Sequence, residues 1–266
     1  MKITFDLIAV FTEDQLGLDG NPSVVIETTR PLDETYMKRI ARDMNQPATT
    51  FIVNDQATRE LSMRWFAPDA EIGLCGHGTA AAAAFLSGKY GSGTYHIQGG
   101  GQRLRCTADE SHFDIALEGI AIQRELPVPE QLCTALGAEV VALFETDNKH
   151  IAVVSSAREV KDMKPDFQQL RGLPHFGYAV TAPGDEEQVD FVSRTLVPFV
   201  QQLEDHATGS SHAALAPYWA RRLRKPVLSA IQLSPRGGFF RCEVHKDGQV
   251  GLSGQYRVLA RGTYQL

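Results

Sequence analysis

Several features that would assign the chain to a familiar class of protein are missing from its sequence. Lysine and arginine form no basic stripe and the formal net charge is −6, so we do not expect a nucleic-acid partner. The first residues carry no apolar signal core, and no apolar run is long enough to span a bilayer. We therefore expect no membrane association and a cytoplasmic location.

Markers of metal, disulfide and nucleotide sites are missing as well. The four cysteines have no Cys-x-x-Cys spacing, which argues against a zinc site or a disulfide framework. His77, His206 and His212 do not lie at the spacing of a metal-ligand set. No Gly-x-Gly-x-x-Gly motif joins a strand to a helix, and the three glycines at 99–101 lack a following helix, so they predict a hairpin turn. We expect a protein that needs no cofactor.

A loop of small residues leading into an alanine-rich helix is the most informative stretch that is present. Gly76 and Gly78 precede five consecutive alanines at 80–84, which favour a helix beginning near the glycines. The first backbone N–H groups of a helix attract an anion, and Cys75 and His77 lie beside them. This predicts an acid/base site for a carboxylate substrate, although the small residues could instead only let a core helix pack closely, with His77 as a cap.

The order of elements repeats in the second part of the chain. A strand ending in Arg-x-x-x-Pro at 64–68 leads into the loop at 75–79, and a similar strand at 194–198 leads into the loop at 207–211 and a helix over 212–223. This repeat predicts two pseudo-symmetric α+β halves. We expect the first half at 1–124, joined by the final strand at about 255–266, and the second at 125–254.

Local patterns predict further elements within these halves. Tyr36, Ile40 and Met44 follow a helical spacing, so they predict the buried stripe of a helix over 33–44. A second amphipathic helix is predicted over 157–173, and Gly20-Asn21-Pro22 predicts a turn between two strands. The three cysteines outside the glycine loop are expected to be small buried residues, namely Cys106, Cys133 and Cys242.

Five short motifs, in order along the chain, resemble those of one family. They are Gly20-Asn21-Pro22, the stretch Cys75–Thr79, the stretch Glu204–Ser210, the turn Arg236-Gly237-Gly238 and the closing residues 254–263. The chain is thereby identified as a member of the PhzF family of phenazine-biosynthesis-like isomerases. The resemblance implies the diaminopimelate epimerase fold, in which each of two halves has a curved, mostly antiparallel sheet around a central helix. It also implies a biosynthetic, cofactor-independent isomerase acting on a small carboxylate, with a homodimer as a further expectation.

The resemblance assigns roles to individual residues at the matching positions. The family's cleft histidine corresponds to His77 and its acid/base aspartate to Asp205. Cys75 is a third candidate for proton transfer, because related diaminopimelate epimerases and proline racemases use the cysteine of their Cys-Gly motif as a base. The residues expected to bind substrate are Asn21, Gly76, Gly209 and Ser210.

One departure from the family pattern leaves the reaction open. The family's Ser-Glu-Thr-x-Phe segment corresponds to 47–51, where Ala48 stands in place of the glutamate that shuttles the proton. An isomerase would then have moved the base function to Cys75, Asp205 or His206. The alternatives are a one-base dehydration or hydrolysis using Cys75 or Asp205, and a binding protein that holds a small carboxylate without turnover.

Overall fold

A computed structural model describes residues 2–55, 57–58 and 60–266 of the chain. The chain divides into two compact units. Unit 1 comprises Met1–Ala116 and Ser253–Leu266, and unit 2 comprises Leu117–Leu252. Unit 2 begins earlier than the sequence suggests, because the strand Ile122–Leu126 pairs with the first long strand of that unit, Val140–Thr146.

Unit 1 contains two α-helices, α1 (Glu34–Met44) and α2 (Gly76–Tyr90). Its strands are β1 (Lys2–Thr12), β2 (Asn21–Thr28), β3 (Ala48–Asp55), β4 (Glu60–Phe66), β5 (Glu71–Ile72), β6 (Gly93–Gly99) and β7 (Gln102–Ala108), and β8 (His112–Glu118) runs from unit 1 into the first residues of unit 2. Unit 2 begins with β9 (Ile122–Leu126), and its helices are α3 (Glu130–Leu136), α4 (Ala157–Asp162), α5 (Phe167–Arg171) and α6 (Gly209–Leu223). Its other strands are β10 (Val140–Thr146), β11 (His150–Val154), β12 (Tyr178–Pro183), β13 (Phe191–Leu196), β14 (Glu204–Asp205), β15 (Val227–Gln232) and β16 (Gly238–Val244), and β17 (Gln249–Gln265) runs from unit 2 into unit 1.

Both units pair their strands in the same pattern. In unit 1, β1 and β2 are antiparallel, β2 and β3 parallel, β3, β4 and β5 antiparallel, β4 and β6 parallel, and β6 and β7 antiparallel. In unit 2, β10 to β16 repeat this series in the same order and with the same directions. In each unit one long helix, α2 or α6, joins the two-residue strand to the next strand. The prediction of two similar α+β halves is confirmed.

The alanine-rich helix α2 packs against β1, β2, β3, β6 and β7 of its own unit. Its five alanines at 80–84 are all buried. Because such small side chains let backbones approach closely, the helix occupies the space enclosed by the strands. Further out, α1 buries Met37, Ile40 and Ala41 against Phe51 and its neighbours. The predicted stripe was wrong at Tyr36, which is 47% exposed.

Three other sequence-based expectations are corrected. The single helix predicted over 157–173 is two short helices, α4 and α5, because Pro165 has no N–H and disfavours helical geometry at the residue before it. The turn at 20–22 ends at Gly20, whose φ is 66°, and Asn21 is already the first residue of β2. Cys133 is half-exposed, whereas Cys106 and Cys242 are buried as predicted.

Helix α6 begins at Gly209, three residues before the predicted start. The glycine of the second loop is therefore the first residue of its helix, just as Gly76 is the first residue of α2. The turn at 99–101 between β6 and β7 forms as predicted, with positive φ at Gly100 and Gly101. In the described part of the chain, no helix combines the length and the apolar character needed to cross a membrane.

Candidate active site

The start of α2 is held by Cys75, which is the N-cap residue. Its Sγ accepts a hydrogen bond from the backbone N–H of Gly78 at 3.3 Å. Its carbonyl oxygen accepts from the side chain of Thr79 at 2.8 Å. An N-cap side chain satisfies a helix N–H that has no partner within the helix. The cysteine therefore fixes the first turn of the helix as well as lying beside it.

A thiol and an imidazole meet at this helix start. The Sγ of Cys75 lies 3.4 Å from Nδ1 of His77. Both side chains are buried, with 4% and 7% of their surface exposed. A helix N-terminus favours a thiolate because it places partial positive charge near the sulfur, and a histidine does so when its imidazole is protonated. The pair can therefore exchange a proton between two side chains that are two residues apart.

The start of α6 has the same backbone arrangement with different side chains. Thr208 is the N-cap, and its hydroxyl donates to Oδ2 of Asp205 at 2.7 Å. The other carboxylate oxygen, Oδ1, accepts from the backbone N–H of His206 at 3.0 Å. These bonds hold Asp205 at the end of β14, four residues before the first residue of the helix, Gly209.

Gln232, the last residue of β15, ties this loop together. Its Oε1 accepts from the backbone N–H of Thr208 at 2.8 Å, and its Nε2 donates to the carbonyl of Asp205 at 2.6 Å. The amide is completely buried. A buried amide with both ends bonded fixes the path of the chain that it bridges. Gln232 thus orients the backbone on both sides of His206.

Ser210, in the first turn of α6, contacts a buried cation. Its Oγ accepts a hydrogen bond from Nζ of Lys149 at 3.0 Å. The same ammonium donates to Oδ1 of Asn148 at 2.5 Å. Lys149 is only 7% exposed. Lysine is rarely buried to this extent, so a buried positive charge beside the first turn of α6 is an uncommon feature.

The two histidines near Asp205 have separate environments. His212 is completely buried, stacks on Phe240 with ring centroids 3.5 Å apart, and has Nδ1 2.9 Å from the carbonyl oxygen of Thr208. Burial lowers the pKa of His212 to about 4, so it is a neutral packing residue near neutral pH. Burial also lowers the pKa of His206, which favours the neutral imidazole beside Asp205.

An arginine–glutamate pair braces each helix start. In unit 1, Arg64 donates from two nitrogens to the two carboxylate oxygens of Glu71, both at 2.7 Å. In unit 2, Arg194 donates to Glu204 with the same two distances. A bidentate guanidinium–carboxylate pair fixes both distance and orientation. The strand that ends in Arg-x-x-x-Pro is thereby connected to the short strand that precedes each helix.

Comparison with known proteins agrees with this architecture. A family model described as phenazine biosynthesis-like protein matches residues 8–262. Two proteins of Pseudomonas aeruginosa named uncharacterized isomerases are each 33% identical over 100% of both chains. A crystal structure of a PhzF family protein from Enterococcus faecalis has a TM-score of 0.90 and 34% identity, covering 100% of both chains. The chain belongs to the PhzF family.

Membership of the PhzF family confirms the identification made from the short motifs and places the chain in a family whose relatives include proteins named as isomerases. The fold extends further than the family. A hydroxyproline epimerase from Agrobacterium vitis has a TM-score of 0.65 at 9% identity, covering 100% of this chain and 93% of its own. The predicted epimerase-like fold is confirmed.

The structure groups the predicted site residues within each unit. Cys75, Gly76 and His77 lie together at the start of α2, while Asp205, Gly209 and Ser210 lie at or before the start of α6. The remaining predicted binding residue, Asn21, is completely buried at the first position of β2.

Ala48, the position at which the resemblance predicts a glutamate, is completely buried at the start of β3. Its partner across the parallel pair is Ser23. An alanine side chain can neither accept nor donate a proton. Ala48 itself therefore takes no part in proton transfer.

Sequence analysis missed three contributors to this region of the family fold. Two of them are distant in sequence from the residues that they contact, namely Lys149 and Gln232. The third, Glu71, is close in sequence to its partner Arg64 but lies in no recognised motif. Only Glu71 left a usable signal, because Glu71 and Glu204 each precede an N-cap residue by four positions. That matched spacing is visible once the two loops are aligned.

Proposed function

We propose that the chain is an isomerase or epimerase that moves a proton on a small carboxylate-bearing metabolite without a glutamate at position 48. The observation that carries this proposal is the 3.4 Å thiol–imidazole contact between Cys75 and His77 at the start of α2. General acid–base catalysis needs two groups that can hold the proton in turn. This pair meets that need with residues of the chain itself, and PhzF membership supports the reaction class.

The roles follow from the chemistry of each side chain. We assign proton transfer to His77, Cys75 and Asp205. In the first step, a base takes a proton from the carbon next to the carboxylate, and the C–H electron pair passes into an enolate-like anion. In the second step, an acid returns a proton at another face or another atom, so no bond to the enzyme forms and no electrons leave the substrate.

The developing negative charge needs hydrogen-bond donors. Backbone N–H groups in the first turn of a helix have no partner within that helix, so they can donate to an anion. Gly76 and Gly209 are the first residues of α2 and α6, and Ser210 follows Gly209. We assign substrate binding to these three residues and to Asn21.

Ala48 decides which base can act. In the family pattern, a carboxylate at this position would shuttle the proton, and the buried methyl group of Ala48 cannot. We infer that the thiolate–imidazole pair takes over this function. Asp205 is the second candidate, because its carboxylate is held by the hydroxyl of Thr208 and can accept a proton.

Exchange of substrate protons with solvent deuterium tests the proposal. The protein would be incubated in D2O with a panel of small 2-amino, 2-hydroxy and 3-enoic carboxylates, and incorporation would be followed by NMR and mass spectrometry. We expect at least one carboxylate to gain deuterium at the carbon next to its carboxyl group. Cys75→Ser, His77→Asn and Asp205→Asn should each lower the exchange rate by about 10²-fold or more, the usual contribution of a general acid or base.

Matched controls separate chemistry from loss of fold. Cys133→Ser and Asp162→Asn remove the same functional groups from a half-exposed cysteine and an exposed aspartate in unit 2, and they should leave the rate unchanged. Binding of a carboxylate without exchange would instead show a binding protein. Exchange by Ala48→Glu but not by the native chain would contradict the reassigned base and show that the missing carboxylate alone separates this chain from active relatives.

A further inference from the structure

Lys149 is a buried cation with no role in the reaction as proposed so far. It precedes β11, its surface is 7% exposed, and its ammonium donates to Ser210 in the first turn of α6. Placing a charged side chain away from water is unfavourable unless it is bonded where it lies. The burial of this lysine therefore indicates a specific role for its charge at this position.

The backbone around Lys149 is fixed on two sides. The hydroxyl of Thr146 donates to the carbonyl of Lys149 at 2.8 Å and accepts from the N–H of Asn148 at 3.2 Å, which closes the turn between β10 and β11. On the other side, a Cβ at Gly177 would lie 3.5 Å from Cγ of Lys149 and 2.5 Å from the carbonyl oxygen of Leu196. The carbonyl of Leu196 therefore requires glycine at position 177, and the lysine side chain passes at van der Waals distance from that position.

The ammonium determines the polarity of the Ser210 hydroxyl. A lysine ammonium has three donors and no acceptor, so Oγ of Ser210 must be the acceptor in the 3.0 Å contact. The serine then donates its own proton in another direction. A hydroxyl that accepts from a cation is also a stronger donor, because neighbouring hydrogen bonds polarise one another. An anionic oxygen bonded to Ser210 would gain from both effects.

We propose that Lys149 is the positioning residue that makes Ser210 a donor to the substrate carboxylate and that its charge selects anionic ligands over neutral ones. The inference rests on the proposed function only in taking Ser210 as a substrate contact. It assigns the recognition of the carboxylate itself to the residue before β11 and to the first turn of α6, a step that can be measured without turnover.

The test uses malonate as the probe and malonamide as its uncharged counterpart, with binding followed by NMR titration. We expect the native protein to bind malonate at millimolar concentration or better, with affinity that falls as salt is added, and to bind malonamide at least tenfold more weakly. Lys149→Met, which keeps an unbranched side chain of nearly the same length but removes the charge, should weaken malonate binding at least tenfold. Malonamide binding should change less than threefold, a difference that general damage to the fold would not produce.

Two further variants make the result interpretable. Lys149→Arg keeps the charge and should retain malonate affinity within about threefold, so it serves as the conservative rescue and as the test if the methionine variant fails to fold. Lys161→Met removes an exposed lysine from α4 of the same unit and should change neither affinity. In the double variant with Ser210→Ala, loss of Lys149 should cost much less than it does alone, because the two residues act through one contact.

Several outcomes would overturn the inference. One is that the native protein does not bind malonate, and another is that the native protein and Lys149→Met bind malonate with equal affinity. A third is that Lys149→Met loses equal affinity for malonate and for malonamide. They are distinct from failure of the proposed function. Deuterium exchange with a KM unaffected by Lys149→Met would refute only the role of the lysine, whereas lysine-dependent malonate binding without any exchange would refute only the proton-transfer reaction.

Discussion

Adding one methyl group at either of two glycines of α2 should change stability in opposite directions. Gly78 lies in the first turn, where an added Cβ would be 2.5 Å from Cδ1 of Trp65 and 2.8 Å from Oγ1 of Thr50. Gly88, near the other end of the same helix, is exposed and has no atom within 4 Å of the added carbon. The pair therefore compares the same substitution with and without a close neighbour.

The expected magnitudes follow from those distances. Real Cβ atoms do not approach to 2.5 Å, and Trp65 is 1% exposed and so has little room to move. Overpacking of a core costs about 1–3 kcal/mol, while replacing glycine by alanine in a helix gains about 0.5–1 kcal/mol. We expect Gly78→Ala to lose about 1–2 kcal/mol of unfolding free energy and Gly88→Ala to gain about 0.5–1 kcal/mol. With about 2–4 °C per kcal/mol, Tm should fall by about 2–8 °C and rise by about 1–4 °C, respectively.

Thermal and urea unfolding followed by tryptophan fluorescence would measure both changes. The chain has two tryptophans, Trp65 in unit 1 and Trp219 in unit 2, so a Trp219→Phe background makes the signal report on the contact that Gly78→Ala disturbs. Equal stabilisation by both substitutions would refute the close packing of α2 on β4. A loss at Gly88 similar to that at Gly78 would show that helix backbone conformation, and not the tryptophan, sets the cost.

Two further predictions concern charged and titratable groups. Arg194→Met should lower the unfolding free energy by about 3 kcal/mol, because it removes the partner of Glu204, whose side chain is only 11% exposed. Arg64→Met should lower it by about 1 kcal/mol or less, since the side chains of Arg64 and Glu71 are about 40% exposed. Equal losses for the two variants in urea unfolding would contradict this ranking. Burial lowers the pKa of His212 to about 4, whereas the pKa is about 6.5 in the unfolded chain. At a pH between about 4 and 6.5, this histidine therefore binds a proton in the unfolded state but not in the folded state. Stability should therefore be complete above about pH 6.5 and decline by about 3 kcal/mol as the pH falls to 4, and a decline of equal size in His212→Asn would show that another group is responsible.

Much of the fold was predictable because local physical rules and the global arrangement agree. The alanine run at 80–84 specifies a helix that must be buried, and the glycines before it specify where the chain can turn and approach other backbone. The repeated Arg-x-x-x-Pro strands predicted two equivalent halves, and the registers of β4 with β5 and of β13 with β14 bear this out. Cys75 and His77 were recognised as site candidates because they are two residues apart in one motif, although the structure makes Cys75 the N-cap and not His77.

The parts that escaped prediction depend on contacts between distant segments. Lys149 and Ser210 are 61 positions apart and Gln232 is 24 positions from Thr208, so no spacing rule connects them. Helical periodicity also cannot tell which of two adjacent stripes faces the sheet, which is why Tyr36 was placed on the buried side of α1. These decisions are made by tertiary packing, which overrides local preference.

The pseudo-symmetry of the two units identifies which differences matter for function. Paired registers and equal spacing make Glu71 equivalent to Glu204, and these positions are identical because both glutamates brace a helix start. The glycine that begins each helix is also shared, but three other positions that follow the glutamates differ between the units. Ile72, Cys75 and His77 in unit 1 correspond to Asp205, Thr208 and Ser210 in unit 2.

The same registers place Lys149 at the position equivalent to Ser23, and Gly177 at the position equivalent to Ala48. Neither unit therefore carries an ionisable side chain at the two equivalent positions 48 and 177. Instead, unit 1 has a thiol and an imidazole at its helix start, and unit 2 has a carboxylate before its helix and a buried ammonium that donates to the first turn of that helix. The arginine–glutamate pairs are the same in both units, whereas the reactive side chains differ. The shared fold therefore fixes the positions of the reactive side chains but not their chemical type. Under the proposed function, the groups at these two helix starts therefore carry the proton that the side chain of Ala48 cannot hold.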